Sequence, residues 1–370
     1  MTGEHRIVVL GAGYAGLAAA GRLASRARGA RITVVDARAD FVERVRLHQR
    51  AAGQEIPRWD IREALERKKV HFVRARVRDI DVVGGLVLLD DVAESDAPAH
   101  PAALEYDTLV YALGSRRDTG VPGAAEYALS VATPEDAAAL TVGRGRVAVV
   151  GGGATGIELA AELAESQPDS RVLLLSSEEP AGWMSERARR YVRGALERLG
   201  VEIMSGAKVA EVLATGVRLV DGTIVDAETT IWTTGFGVPD LARAAGLAVD
   251  GHGRVRTDAT LRSLSHPNIY AAGDSAVVAG PGDRELRMAC ATALPTGKYT
   301  ADAIATRLRG REPREFHFRY VAQCLSLGRG DGLIQFLKAD DTPARTVLTG
   351  RTGAWVKERI VRGAGWAAKP

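Results

Sequence analysis

The stretch Arg6-Ile-Val-Val-Leu10-Gly11-Ala-Gly13-Tyr-Ala-Gly16-Leu17 decides the fold. Its four apolar residues Ile7 to Leu10 predict a short strand, and the Ala-rich run over 14–27 predicts a helix. Gly11 permits the tight turn between them, and Gly13 lets backbone approach a diphosphate. Gly16 lets the helix pack closely on the strand. The helix N-terminus then faces the phosphates. A second strand over 32–35 ends at Asp36, 25 residues after Gly11, where a carboxylate can accept hydrogen bonds from ribose hydroxyls.

The same pattern restarts 140 residues later, at Arg146-Val-Ala-Val-Val150-Gly151-Gly152-Gly153-Ala-Thr155-Gly156-Ile-Glu158. A strand over 147–150, a helix over 155–165 and a strand over 171–175 make a second βαβ unit. The position equivalent to Asp36 is Ser176, followed by Ser177, Glu178 and Glu179. Loss of the strand-end acid removes a barrier to a 2′-phosphate, yet the expected arginine is also missing nearby. NADH and NADPH both stay open, with NADH slightly ahead because Glu178 or Glu179 can stand in for the acid. Two such units in one chain imply two dinucleotides and electron transfer between them.

Further elements fill in the architecture. Strands are expected over 70–77 and 86–89 around the Gly84-Gly85 turn, over 108–113 ending at Gly114, and over 217–220 before a hairpin at Asp221-Gly222. A helix is expected over 185–199, strands over 229–234 and before Gly273-Asp274, and a helix around 298–308. A basic helix closes the sequence. The fold class is α/β, with two Rossmann-like dinucleotide-binding domains, the second inserted in the first, plus a small C-terminal module. The expected division is 1–125 with 262–308, then 126–261, then 309–370.

Composition narrows the function classes. Of the 370 residues, 26% are charged and 46% hydrophobic, as in ordinary globular proteins, and the net charge of +3 gives no case for nucleic acid. Aromatics are sparse and do not interleave with Lys or Arg as a nucleic-acid platform requires. The two cysteines, Cys290 and Cys324, are isolated, which excludes a CxxC redox centre and any cysteine metal cluster. The sequence opens without a secretory signal pattern, so a cytoplasmic location is expected. From 345 onward, six Lys and Arg residues face Glu358 alone, with Trp355, Ile360 and Trp366 interspersed. That segment suits either docking over the protein, which is favoured, or peripheral contact with an anionic membrane. A homodimer is also open.

In the order of these motifs the chain resembles the FAD-dependent pyridine nucleotide oxidoreductases. Within them it resembles the type II NADH dehydrogenases and the apoptosis-inducing-factor-2-like quinone reductases. Phe41 to His48 with Gly53, the triplet Gly156-Ile157-Glu158, and the C-terminal Leu327 to Gln335 with Trp355 to Arg359 carry that closer likeness. The resemblance implies FAD at Gly11, Gly13, Ala15, Gly16, Asp36, Ala37, Arg46, Val77, Ala112, Gly114, Gly273, Asp274 and Pro295. It implies NAD(P)H at Gly151, Gly153, Thr155, Gly156, Ser176, Thr234 and Gly235. A hydride would pass from the nicotinamide to flavin N5, and electrons onward to a quinone-like or other small acceptor.

Glu158 is the first candidate for the chemistry, expected in the first turn of its helix, where it would orient the nicotinamide or relay protons. Its plainer reading is a carboxylate stabilised by the helix dipole. Lys357 is the second, either offsetting charge on the reduced flavin or lying exposed on a basic helix. Met288, Cys290 and Cys324 read as packing residues, and His48 and His71 as structural or exposed. The segment 290–297 holds no Gln, unlike the quinone-contacting segment of type II NADH dehydrogenases, so the acceptor pocket is differently lined. Two other readings compete. One is a reductase serving a ferredoxin or monooxygenase, for which Arg284, Arg287 and Lys298 supply charge offset by Asp283 and Glu285. The other is a flavin-binding redox sensor with incidental turnover.

Overall fold

Alternating runs of β-branched residues and alanine-rich helices with no polar break on one face can be covered only by stacking layers, and the chain does this twice. The computed structural model describes residues 4–92 and 100–370. Strands β1 (His5–Leu10), β2 (Ala30–Asp36), β3 (His71–Arg74), β4 (Thr108–Tyr111) and, much later, Ile269–Ala271 form a five-stranded parallel sheet. Ile269–Ala271 lies at the edge beside β4, and β1 is central. The helix α1 (Tyr14–Arg26) follows β1, and its buried alanines and Leu17 and Leu23 close one face.

A second parallel sheet takes its strands from β5 (Ala128–Ser130), β6 (Gly145–Val150), β7 (Ser170–Ser176), β8 (Glu202–Ser205) and β9 (Thr229–Trp232), with β6 central. The helices α2 (Ala154–Ser166) and α3 (Glu186–Arg198) cover one face of it. The central strands β1 and β6 and their neighbour β7 carry near-continuous apolar runs, as strands buried on both faces must. In both sheets the strand order switches from one side to the other at the central strand, and the glycine turns sit at the carboxyl ends of β1 and β6. That is where a parallel sheet opens a crevice for ligands.

After Ile269–Ala271 comes a long helix α4 (Cys290–Arg307), which packs along α1. Its closest approach is at Gly297, where an added Cβ would lie 2.1 Å from the Ala15 carbonyl oxygen. The antiparallel strands β10 (Ala322–Ser326), β11 (Gly332–Leu337) and β12 (Pro343–Leu348) then form a small sheet, and helix α5 (Gly350–Ala368) ends the chain. Leu325, Leu327, Leu333 and Val347 of this module share one core with Ile157, Leu159 and Leu163 of α2. The C-terminal sheet is thereby fixed to the second Rossmann unit.

Several expected elements differ, among them the strand over 108–113, which stops at Tyr111. The single strand over 70–77 is two strands, β3 and Arg76–Asp81, because Ala75 donates its N–H to Asp36 O and the chain then leaves the parallel sheet for an antiparallel ribbon with Leu86–Asp90. The strand over 229–234 stops at Trp232. The helix expected near 298 starts eight residues earlier, with Pro295 inside it. Thr292 and Thr296 hydroxyls bond back to main-chain carbonyls in that first stretch.

Gly16 tests the strand–helix contact. A Cβ there would sit 1.8 Å from the Gly11 carbonyl oxygen, against backbone that cannot yield. Gly16→Ala is expected to lose about 3 kcal/mol of unfolding free energy, read from the denaturant midpoint. An unchanged midpoint would disprove the close packing.

Candidate active site

A cavity of about 1140 Å³ is lined by both glycine loops and by the C-terminal module. Gly13 is the N-cap of α1 and Gly153 the N-cap of α2, so two helix N-termini with free N–H groups open toward it. Ala15, Ala112, Gly114, Gly273 and Asp274 line it from the first unit, and Gly151, Thr155, Ser176, Thr234 and Gly235 from the second. Gly114 and Gly235 adopt φ of +67° and +74°, turning the chain away from the sheet ends beside the space.

The other expected residues stand off the cavity wall. Gly11 is sealed behind the turn, where a Cβ would meet Ala112 O at 2.4 Å; Gly16 and Gly156 pack their helices against the turn. Asp36 accepts hydrogen bonds from Ala12 N at 2.6 Å and Arg38 N at 2.8 Å, and so pins the first glycine loop. Ala37 follows it. Val77 lies on the separate antiparallel ribbon, and Pro295 inside α4. Arg46 is buried in a cluster of its own, bonded to Glu43 and Glu358.

At the centre, four segments converge. Glu158 of α2 is paired through Oε1 with Lys357 of α5, and the same oxygen accepts the Ser326 N–H of β10 at 2.9 Å. Its other oxygen faces His48 Nδ1 at 3.6 Å, from the short helix Leu47–Ala51 of the first unit. Burial pushes the Glu158 carboxyl up, but the Lys357 charge overrides it and holds the group below the usual carboxylate range. Burial pulls His48 down to about 4, with the nearby Lys357, Arg329 and Arg46 charges acting the same way against Glu158. His48 is therefore a neutral imidazole at pH 7. Facing an ionised carboxylate, its Nδ1 carries the proton and its Nε2 a lone pair. Glu158 occupies the fifth position of α2, one residue further in than expected and just past the first turn, and it is held by the ion pair with Lys357.

The chemistry around this centre fits a flavin dinucleotide. His48 Nε2 and Tyr14 Oη are buried without a hydrogen-bond partner, and both residues line the cavity. Buried polar atoms in that state call for a polar ligand. Ser115 Oγ donates to Asp274 Oδ2 at 2.7 Å beside the glycine turn. Arg44, also on the wall, donates to Ser115 O at 3.1 Å and Ala132 O at 3.2 Å and leaves its remaining N–H groups for an anion. Sequence reading passed over Arg44 and Gln323 and assigned no functional role to His48 or Cys324, because their place depends on loops and on the C-terminal sheet. Cys324 and Cys290 are half-buried on the same wall, and desolvation pushes the Cys290 thiol up to about 12, so it is no thiolate nucleophile.

The sequence pattern of the family described as Pyridine nucleotide-disulphide oxidoreductase matches residues 5–297. The chain belongs to that family. It is an oxidoreductase using FAD and a nicotinamide dinucleotide. Among curated relatives, the demethylphylloquinone reductase NdbB of Synechocystis sp. is 27% identical over 395 residues, spanning 99% of this chain and 96% of that protein. The probable ferredoxin reductase CtmF of Castellaniella defragrans is 30% identical over 328 residues, spanning 84% and 77%. The solved structure of NDH2 from Plasmodium falciparum in complex with NADH shares the fold, with a TM-score of 0.82 at 15% identity and coverage of 99% and 96%. Unlike the family's name, the disulphide has no counterpart here, since both cysteines are free.

Two outcomes check this geometry. Gly13 has ordinary backbone angles and open space where a Cβ would stand, so Gly13→Ala is expected to leave the thermal midpoint of the flavin-free protein unchanged while weakening FAD binding about tenfold or more. Equal FAD affinity would remove the first glycine loop from the site. For His48, the folded state resists protonation, so the unfolded state binds the extra proton below pH 6.5. Stability is then lost as pH falls from about 6.5 to about 4, by about 3 kcal/mol. Chemical denaturation across that window is expected to flatten by that amount in His48→Gln.

Proposed function

We propose that this protein passes reducing equivalents from NADH or NADPH, through FAD, to a quinone-like small acceptor. The observation that carries the reading is the Glu158–Lys357 pair, with His48, at the centre of a cavity that both glycine loops line. Bound FAD would supply a carrier that takes two electrons from the nicotinamide and gives them to the acceptor. The α1 N-terminus, Arg44 and the Ser115–Asp274 pair hold its diphosphate and ribityl chain. The α2 N-terminus, Thr155, Thr234 and Gly235 orient the nicotinamide dinucleotide. Lys357 places a fixed positive charge where negative charge develops, and Glu158 keeps it there and offers a proton site at Oε2.

The acceptor side is apolar, built by Met288, Cys290, Cys324, Ile360, Val361 and Ala364. Such a wall suits a planar apolar ring. Gln323 brings an amide to it, though its Oε1 is already bonded by Trp183 Nε1 at 2.6 Å. A ferredoxin partner has less support, since Arg287 is paired with Asp341 at 2.8 Å and so is not free for an acidic surface. The sequence relationship to a ferredoxin reductase keeps that acceptor in the test. We also propose that the chain divides into an FAD-binding domain over 1–125 with 262–308, an NAD(P)-binding domain over 126–261 and a C-terminal module over 309–370.

Membrane contact is the second part. Helix α5 turns Gly353, Lys357, Val361 and Gly365 inward, while Trp355, Arg359, Arg362 and Trp366 share the outer face. Trp366 is 80% exposed and Trp355 61%, with the Arg359 guanidinium 5.2 Å over the Trp355 ring. A basic, tryptophan-bearing face of this kind suits an anionic lipid surface. No described helix is long and apolar enough to cross a membrane.

Steady-state turnover with a short-chain quinone, ferricyanide and a ferredoxin separates the acceptors; the quinone is expected to be the best organic acceptor. Glu158→Gln is expected to lower quinone turnover at least about tenfold with the bound-flavin spectrum retained. Preferred reduction of the ferredoxin, or undiminished turnover in Glu158→Gln, would overturn this reading. Sedimentation with vesicles containing anionic lipid is expected to capture the protein, and Trp355→Ser with Trp366→Ser to release it. No sedimentation of the unaltered protein would refute membrane contact.

A further inference from the structure

The two strand ends that face the adenosine halves of the two dinucleotides are built differently. At the end of β2 stands the Asp36 carboxylate. At the end of β7 stands Ser176, buried, with the glycine loop so close that a Cβ on Gly152 would meet its Oγ at 2.1 Å. An acid has no room at that spot. Glu179, the nearby acid that the sequence offers to a ribose hydroxyl, is taken: Arg193 Nε and Nη2 donate to it at 2.6 to 2.9 Å, and Ser205 Oγ donates at 2.9 Å. Hydrogen bonding from Arg193 holds Glu179 below the usual carboxylate range, with Ser205 and the Arg189 charge acting the same way.

Donors gather at the same spot. Ala207 N–H bonds to Ser176 O at 2.8 Å, which sets the next residue, Lys208, beside the end of β7. Lys208 is exposed, lines the cavity, and makes no ion pair among the described residues. Ser177, also exposed and on the wall, adds a hydroxyl. Glu178 is the one exposed carboxylate on this stretch of wall. A ribose 2′-hydroxyl needs a free acceptor, whereas a 2′-phosphate needs a cation and hydrogen-bond donors.

We propose that Lys208 and Ser177 form a seat for the 2′-phosphate of NADPH, so that this chain takes NADPH in preference to NADH. The proposal rests on the reading of the cavity as a nicotinamide dinucleotide site. Arg193 contributes by occupying the Glu179 carboxylate and offsetting its charge, and the glycine loop by excluding an acid at position 176.

Calorimetry on the purified flavoprotein with adenosine 2′,5′-bisphosphate and with 5′-AMP tests it without turnover. The bisphosphate is expected to bind at least about tenfold more tightly, and Lys208→Met to erase about tenfold of that while leaving 5′-AMP within about twofold. Glu178→Gln is expected to strengthen the bisphosphate alone. Because Lys208 and Glu178 are exposed, both variants are expected to fold. Equal binding of the two nucleotides, or an equal loss of both in Lys208→Met, would overturn the seat. Flavin reduction by NADH but not NADPH would also overturn it while leaving the oxidoreductase reading intact. Reduction by neither would defeat that reading itself.

Discussion

A buried carboxylate must be met by a cation, and Glu158 meets one from 199 residues further along the chain, Lys357. Removing one partner of such a pair costs several kcal/mol, because the other charge stays buried alone. The pair therefore ties α5 to α2 and closes the cavity on its C-terminal side. A second tie runs parallel to it, from Arg46 of the first unit to Glu358, the next residue on α5. Neighbouring residues on one helix thus hold both Rossmann units.

The same pair sets the electrostatics of the centre. With Glu158 ionised and Lys357 charged, the neutral His48 is the group left with an open lone pair. The site thereby combines a fixed positive charge, a carboxylate oxygen facing an imidazole, and an apolar wall. That combination suits delivery of electrons and a proton to a flat apolar molecule. It offers neither a thiolate nor, among the described residues, a cluster able to hold a metal ion.

Much of the fold was legible because it rests on local rules. Glycines at fixed offsets after β1 and β6, apolar runs of strand length and the Ala-rich α1 all obey steric limits that act within a dozen residues. Ser185 caps α3 through its hydroxyl, and Asp221-Gly222 turns a hairpin, as their types foretell. The early start of α4 was not legible, because Pro295 lies inside the helix, where a proline is ordinarily excluded. Site residues divide the same way. Gly13, Gly114, Asp274 and Ser176 lie on the wall, at strand ends that periodicity locates. Arg46, a charged residue in a loop, could not be separated by sequence from Arg44 two residues earlier. Burial beside Glu43 and Glu358 sends Arg46 away from the cavity, while Arg44 reaches it. His48 looked structural because its partner Glu158 is remote in sequence.

The paired glycine loops matter functionally only if electrons cross from one bound dinucleotide to the other. Anaerobic stopped-flow absorbance of the flavin-loaded protein mixed with NADPH or NADH measures that step directly. Rapid bleaching of the oxidised flavin band, within the time of a catalytic cycle and saturating with nucleotide concentration, is the expected result. A flavin that stays oxidised for minutes with both nucleotides would contradict the account.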